Sequence, residues 1–244
     1  MKKLSDVRAE IQQLSNAKDA AQQMRYFKTG PGEYAEGDVF LGIRVPVLRK
    51  LAKQCMALKF TEIKSLLKAE FHEERLLALI ILVERFKQAG DAEQQMIYDV
   101  YLQHASHINN WDLVDVSASY IVGGYLASRD KKPLYHLVKS NVLWERRIAI
   151  IATLTFIKQD QFHDTLTLAK ALLKDKEDLM HKAVGWMLRE VGKRDLAAEE
   201  GFLKMHYQAM PRTMLRYAIE KFGLIHRVGH LASIKKHTAS SIAG

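Results

Sequence analysis

The chain of 244 residues holds one cysteine, Cys55, so no intramolecular disulfide can form and a reducing compartment is expected. It holds four prolines, and three of them stand near helix starts suggested by the pattern, so nothing marks a proline-rich linker. Long apolar runs are missing. The longest, Leu76 to Val83, is far short of a membrane span. Met1-Lys2-Lys3 opens like a signal peptide, but Asp6, Arg8 and Glu10 stand where its apolar region should be. The expectation is a soluble cytoplasmic protein. Acidic residues are in deficit, 28 against 37 Lys and Arg, for a formal net charge of +9. That bias suits an anionic polymer, and nucleic acid is the commonest such partner in cytoplasm.

The charge is unevenly placed. Arg44, Arg49, Lys50 and Lys53 cluster with no acid among them. Lys131, Lys132, Lys139, Arg146 and Arg147 form a second group, and Arg212, Arg216, Lys221, Arg227, Lys235 and Lys236 a third. A stripe of this kind crossing several helices would track a phosphate backbone; the plain alternative is ordinary solvated helix faces.

Hydrophobic content is 48%, enough for a substantial core, and its spacing is helical almost throughout. Helices are expected at Lys3–Ser15, Asn16–Phe27, Val45–Cys55, Thr61–Ala69, Glu73–Gln88, Ala92–His104 and Trp111–Leu126. They continue at Lys131–Lys139, Leu143–Lys158, Phe162–Leu173, Asp178–Gly192, Ala197–Ala209 and Pro211–Phe222. No convincing strand interrupts them. Lys28 to Asp38 is the most loop-like segment, and the spacing of its glycines fits no phosphate-cradling loop.

The helices repeat. Glu74-Arg75-Leu76-Leu77-Ala78, Glu145-Arg146-Arg147-Ile148-Ala149 and His181-Lys182-Ala183-Val184-Gly185 each put a small residue inside an apolar helix soon after a charge. With Ala118 and Ala218, the small residues recur at intervals of roughly 30–40 residues, the range of two-helix solenoid units. The fold class expected is all-α: a superhelix of HEAT-like antiparallel helix pairs whose concave face binds extended ligands. One domain is expected over 1–230, followed by a basic tail, 231–244, that frays.

One stretch departs from generic helical sequence. In Asn109-Asn110-Trp111-Asp112-Leu113-Val114-Asp115, either asparagine can cap the helix that follows. Asp112 complements the helix dipole from the first turn. Asp115 lies a turn too deep to cap, on the same face as Trp111 and among apolar neighbours. A carboxylate there costs free energy unless something positive comes to it. A structural ion pair is the ordinary explanation.

The chain resembles the AlkD-type DNA alkylation repair glycosylases. The matching motifs are Met24-Arg25-Tyr26-Phe27-Lys28, Leu41-Gly42-Ile43-Arg44-Val45-Pro46, Trp111 to Asp115, Trp144-Glu145-Arg146-Arg147 and Lys182 to Glu190, in the family's order. The resemblance implies a right-handed superhelix of HEAT-like repeats. It also implies a hydrolase that cleaves the N-glycosidic bond of purines alkylated at N3 or N7. Asp115 would be the catalytic carboxylate, with Trp111 and Trp186 lining the lesion site. Arg147 would contact DNA beside it and Tyr26 would approach from the N-terminal helices; Arg146, Arg44, Lys182 and Arg189, in the same motifs, would join the DNA-binding surface. The partner is then duplex DNA carrying alkylated purines, bound by a monomer without cofactor or metal, cytoplasmic and nucleoid-associated while acting. Two departures affect loop contacts: Asn110 stands where some members have a second tryptophan, and the Gly30 to Asp38 loop is longer than in compact members.

Two other classes stay open, a non-catalytic HEAT-repeat binder of distorted or branched DNA and a protein-interaction scaffold. Trp144 reads as core. His104 with His107 and His226 with His230 have helix spacing for a metal but no nearby third ligand, so both pairs read as solvent-facing or capping. Because an alkylated base already carries positive charge, no general acid is expected, and the rate should lack the high-pH decline that comes from deprotonating one.

Overall fold

The computed structural model describes residues 2–221, which are helical with no strand among them; a single β-bridge joins Val39 and Phe71. His226, His230, Arg227, Lys235, Lys236, Phe222 and the tail 231–244 lie outside the described residues. Contacts divide the chain into two compact units, Met1–Arg129 and Asp130–Gly244.

The first unit contains α1 (Leu4–Gln13), α2 (Ala17–Tyr26), α3 (Val45–Gln54), α4 (Phe60–Leu67), α5 (His72–Gln88), α6 (Asp91–Gln103), α7 (Trp111–Ala118) and α8 (Gly124–Leu126). Local chemistry sets several of the starts. Asn16 caps α2 by accepting from the amides of Lys18 and Asp19, and Pro46 sits in the first turn of α3. Helix α5 is the centre of this unit. It is buried nearly all round, from His72 to Val83 without a break, so it meets neighbours on every face. Its first four residues, His72, Glu73, Glu74 and Arg75, are ionisable and buried, a placement tolerable only if each is paired. Glu74 is, by Arg8 of α1 at 3.0 Å.

The helix expected over Trp111–Leu126 is broken into α7, a π-helical turn at Ser119–Gly123 and α8. The turn falls where the backbone is pressed against α5: a Cβ at Gly124 would lie 2.8 Å from Phe86 Cε1. Periodicity cannot register a single extra residue of this kind.

The second unit contains α9 (Lys132–Leu137), α10 (Leu143–Ala152), α11 (Leu154–Ile157), α12 (His163–Ala171), α13 (Asp178–Gly192), α14 (Leu196–His206) and α15 (Arg212–Ala218). The expected Leu143–Lys158 helix is likewise interrupted, at Thr153, whose hydroxyl donates back to the Ile150 carbonyl at 2.7 Å. Here α13 is central. At Gly185 it meets α15 so closely that a Cβ would sit 2.4 Å from the Met214 carbonyl oxygen. The small residue is what lets these backbones approach.

The repeat read from sequence has a physical counterpart. The fourth residue of α5, Arg75, donates back to the Ala69 carbonyl at 2.9 Å. The fourth of α10, Arg146, donates to the Ser140 carbonyl at 2.9 Å, and the fourth of α13, His181, to the Asp175 carbonyl at 2.6 Å. In each case a side chain secures the carbonyl six residues earlier, fixing the loop onto the helix it feeds. His181, not Lys182, performs this in α13, one position earlier than the aligned sequences suggest.

Candidate functional site

The first turn of α7 is held from three sides. Asn110 is fully buried, and its Oδ1 accepts from the Trp111 amide at 2.8 Å, so the cap comes from Asn110 rather than Asn109. Asn110 Nδ2 donates to Asp38 Oδ2 at 3.3 Å. Asp38 is buried and also receives Arg75 Nη2 at 2.5 Å and His72 Nδ1 at 2.9 Å. The other nitrogen of His72, Nε2, lies 2.8 Å from Asp112 Oδ2. Asp112 therefore does more than face the helix dipole: it ties α7 to α5.

The charge state follows from geometry. Each ring nitrogen of His72 faces a carboxylate oxygen, and a bare nitrogen lone pair there would be repelled. Both nitrogens carry protons and donate. Burial works against the charged ring, yet the charge and hydrogen bond of Asp112, with those of Asp38, outweigh it and raise the His72 pKa to about 9. Burial likewise pushes the Asp38 carboxyl up, but His72 and Arg75 overcome it and leave it below its usual range. Two carboxylates and two cations make a cluster without net charge, buried except at Asp112.

An aromatic ladder runs alongside. Trp111 stacks on Phe27 (centroids 5.2 Å), Phe27 on Phe40 (4.9 Å) and Phe40 on the His72 ring (4.2 Å). Tyr26, 66% exposed, meets Trp111 edge-on at 6.0 Å. The Trp111 indole N–H donates to the Tyr34 hydroxyl at 3.2 Å, so the Lys28 to Asp38 loop contributes to holding the tryptophan. Beneath, Glu73 accepts from the amides of Leu41, Gly42 and Ile43. Asp115 lies one turn beyond Trp111 on α7 and is half-buried, out of reach of the capping role that Asn110 fills. With burial as the larger cause, its charge contributes to holding the buried Tyr101 phenol well above its usual range.

The structure thus brings Tyr26, Trp111 and Asp115 together in the first unit, where the exposed Arg44 starts α3 and pairs loosely with Asp19 at 3.4 Å. The remaining candidates lie in the second unit. Arg147 is buried on α10 and donates to the Leu179 carbonyl at 2.6 Å, at the start of α13. Arg146 holds Asp175, Nε to Oδ2 at 2.7 Å, so neither arginine continues the exposed basic group of Lys132 and Lys139. Trp186 is half-buried on α13, its indole donating to Glu190 at 3.0 Å. Lys182 pairs with Asp178 at 2.7 Å and Arg189 with Glu220. Trp144 is core.

Sequence reasoning missed Asp38, His72, Arg75, Tyr34, Phe27 and Phe40. One signal was available: four consecutive ionisable residues, His72 to Arg75, directly before the apolar run Leu76 to Val83. Among the described residues there is no group of three metal-ligating side chains, and His104 Nδ1 is bonded to the Val100 carbonyl at 2.8 Å. No described helix is long and apolar enough to cross a membrane.

A helical-repeat protein with a half-buried carboxylate and a clamped tryptophan on one helix is the class that fold and site define. The family model for DNA alkylation repair enzymes matches residues 7–222, and the chain belongs to that family. Among solved structures it is similar to a predicted DNA alkylation repair enzyme from Enterococcus faecalis, at 18% identity, covering 86% of this chain and 97% of that one with a TM-score of 0.67. It is also similar to AlkD2 from Streptococcus mutans, at 15% identity, 90% and 96% coverage and a TM-score of 0.52. The protein smu.31 from Streptococcus mutans UA159 matches at 16% identity, 90% and 98% coverage and a TM-score of 0.51. These likenesses establish the shared fold. A comparison with curated proteins returns no match.

Proposed function

We propose that the protein is a monofunctional DNA glycosylase that releases cationic N3- and N7-alkylated purines from duplex DNA. The observation that carries this reading is Asp115: a half-buried carboxylate on a helix capped by Asn110, one turn from a tryptophan whose ring is fixed by stacking and by a hydrogen bond. The lesion already bears positive charge, so the C1′–N bond can break with its electron pair quenching that charge, and no acid is required. The carboxylate stabilises the oxocarbenium-like sugar and accepts a proton from the water that attacks C1′. The face of Trp111 attracts the cationic base or sugar, at about 0.5–2 kcal/mol, and the family resemblance gives Trp186 a like role.

Tyr26 and the exposed Arg44, Arg49, Lys50 and Lys53 supply DNA contacts from the first unit. Lys182, Arg146, Arg147 and Arg189 would reach phosphate only by sharing or exchanging the partners described above. Family membership supports DNA as the partner.

The test is single-turnover release of base from duplexes carrying one defined lesion. Wild-type protein is expected to release N7-methylguanine and N3-methyladenine and to leave neutral hypoxanthine and uracil in place. Asp115→Asn should lose release by at least about a hundredfold while binding the duplex as wild type does. Release by Asp115→Asn near the wild-type rate would remove that residue from the mechanism, and binding without release by wild type would favour a non-catalytic binder.

A further inference from the structure

The His72 cluster does something that neither capping nor core packing requires. The first amides of α7 that side chains take are those of Trp111, accepted by Asn110 Oδ1, and Leu113, accepted by Asp112 Oδ1, and neither bond uses His72. An apolar contact would hold the helix equally well without a buried carboxylate, a half-buried one and two buried cations, which are costly to desolvate and often no more stabilising than apolar residues. What charged hydrogen bonds add is direction. His72 is joined to the first turn of α7 by two routes that close on each other: through Asp112 at 2.8 Å, and through the ladder Phe40, Phe27 and Trp111. Through Asp38 it also fixes the Asn110 side chain in its capping position.

We infer that the His72 imidazolium is a positioning group for the reaction site: by donating to Asp38 and Asp112 at once it sets the first turn of α7 and the Trp111 ring, and loss of its proton releases both. The inference rests on the reading of Trp111 and Asp115 as the reaction site for its effect on catalysis, but not for its effect on Trp111.

The charged groups around His72 come from several elements. Asp38 comes from the loop before α3 and Asp112 from α7. Arg75, on α5, stays charged. Glu73 is committed to the amides of 41–43, and Glu74 to Arg8 of α1. Lys68 beyond α4, with His104 and His107 beyond α6, faces the region around Arg75, and their influence is felt at His107. The ring of His72 loses its proton near pH 9, after which one of its nitrogens faces a carboxylate without a hydrogen to offer. A fall in base release at high pH then follows from positioning, although the chemistry uses no general acid.

Two measurements on the whole protein test this. In the first, protein with 15N-labelled histidine and tryptophan is titrated by NMR. Both His72 ring nitrogens should be protonated at neutral pH, and the Trp111 indole resonance should shift with the same midpoint as His72, near 9. In Asp112→Asn both midpoints should move down together by about one unit or more, because a charged acceptor has become neutral. In the second, single-turnover release of N7-methylguanine is followed across pH. Well above the Trp111 midpoint the wild-type rate should fall about tenfold for each pH unit, the slope of a single proton lost to give an inactive state. The fall should move to lower pH in Asp112→Asn, and His72→Gln should lack it. Should His72→Gln not fold, Asp112→Asn carries the comparison alone. A Trp111 resonance indifferent to His72, or a pH profile unmoved by Asp112→Asn, would overturn the inference. Linked midpoints without base release at any pH would support the clamp and sink the glycosylase reading instead.

Discussion

Replacing Glu73 by glutamine should unsettle the segment on which the clamp rests. The buried carboxylate accepts from three consecutive amides: Oε1 from Gly42 at 2.8 Å and Ile43 at 3.1 Å, Oε2 from Leu41 at 2.9 Å. Glutamine keeps one oxygen. Used where two amides converge, it leaves the side-chain NH2 against the Leu41 N–H, donor facing donor. One hydrogen bond to a charged group, about 1.5–3 kcal/mol, is lost, and the surviving two fall to about half their strength. Removing a buried charge offsets part of this. The segment cannot slide away to recover. Gly42 has φ of +84°, and the space at its α-carbon is closed by the Asn16 carbonyl oxygen, 2.2 Å from where a Cβ would be. A loss of about 3 kcal/mol is expected, roughly a 1 M or larger fall in urea midpoint. Trp111 is the only tryptophan of the first unit, so its fluorescence, read in a Trp144→Phe, Trp186→Phe background, isolates that unit. A change under about 1 kcal/mol at unaltered slope would refute the assignment of Glu73 as the anchor.

Two further outcomes concern the second unit. Burial, helped by the charge of Glu200, holds the Glu199 carboxyl up at about 8, above its ordinary 4.5. The unfolded chain gives up this proton first as pH rises, so stability should decline between those two values. Glu199→Gln should abolish the decline and raise stability at about pH 8 by on the order of 3 kcal/mol; parallel stability–pH curves for the two proteins would sink the idea. Alanine at two helical glycines should act with opposite sign. Gly185→Ala forces α13 off α15 and should cost about 1–3 kcal/mol, whereas Gly201→Ala, where a Cβ meets nothing within 4 Å, should gain about 0.5–1 kcal/mol. Equal effects by thermal unfolding would mean that the close approach at Gly185 is not constraining.

What could be read from the sequence was what is written locally. Asp178–Gly192 is found residue for residue, because its apolar face and its ends are marked within its own length. The Asn110 cap, the place of Pro46 and the small residue at Gly185 are of the same kind. Trp111 and Asp115 were legible as a pair for the same reason, being one helical turn apart. The cluster that holds them was not. Asp38 meets His72 across 34 residues and Asn110 across 72, and no periodicity relates positions joined only by folding. Arg147 shows the opposite failure: a charged residue among basic neighbours suggests an exposed contact, and only the packing of α10 on α13 puts it inside.

The π-helical turn after α7 changes which residues can be said to share a side. An ideal helix advances about 100° per residue, so Tyr125, fourteen positions after Trp111, would fall within about 40° of it. A wheel drawn through the whole stretch therefore seats the tyrosine beside the tryptophan and the carboxylate. The five residues Ser119–Gly123 absorb one residue without advancing the spiral to match, and the later part lags by about a hundred degrees. Tyr125 accordingly stacks on Tyr98 of α6, ring centroids 4.3 Å apart, with the Arg129 guanidinium over the Tyr125 ring at 4.1 Å. The stretch carries two phases along one axis: Trp111 and Asp115 belong to the first, and Tyr125 is read correctly only in the second.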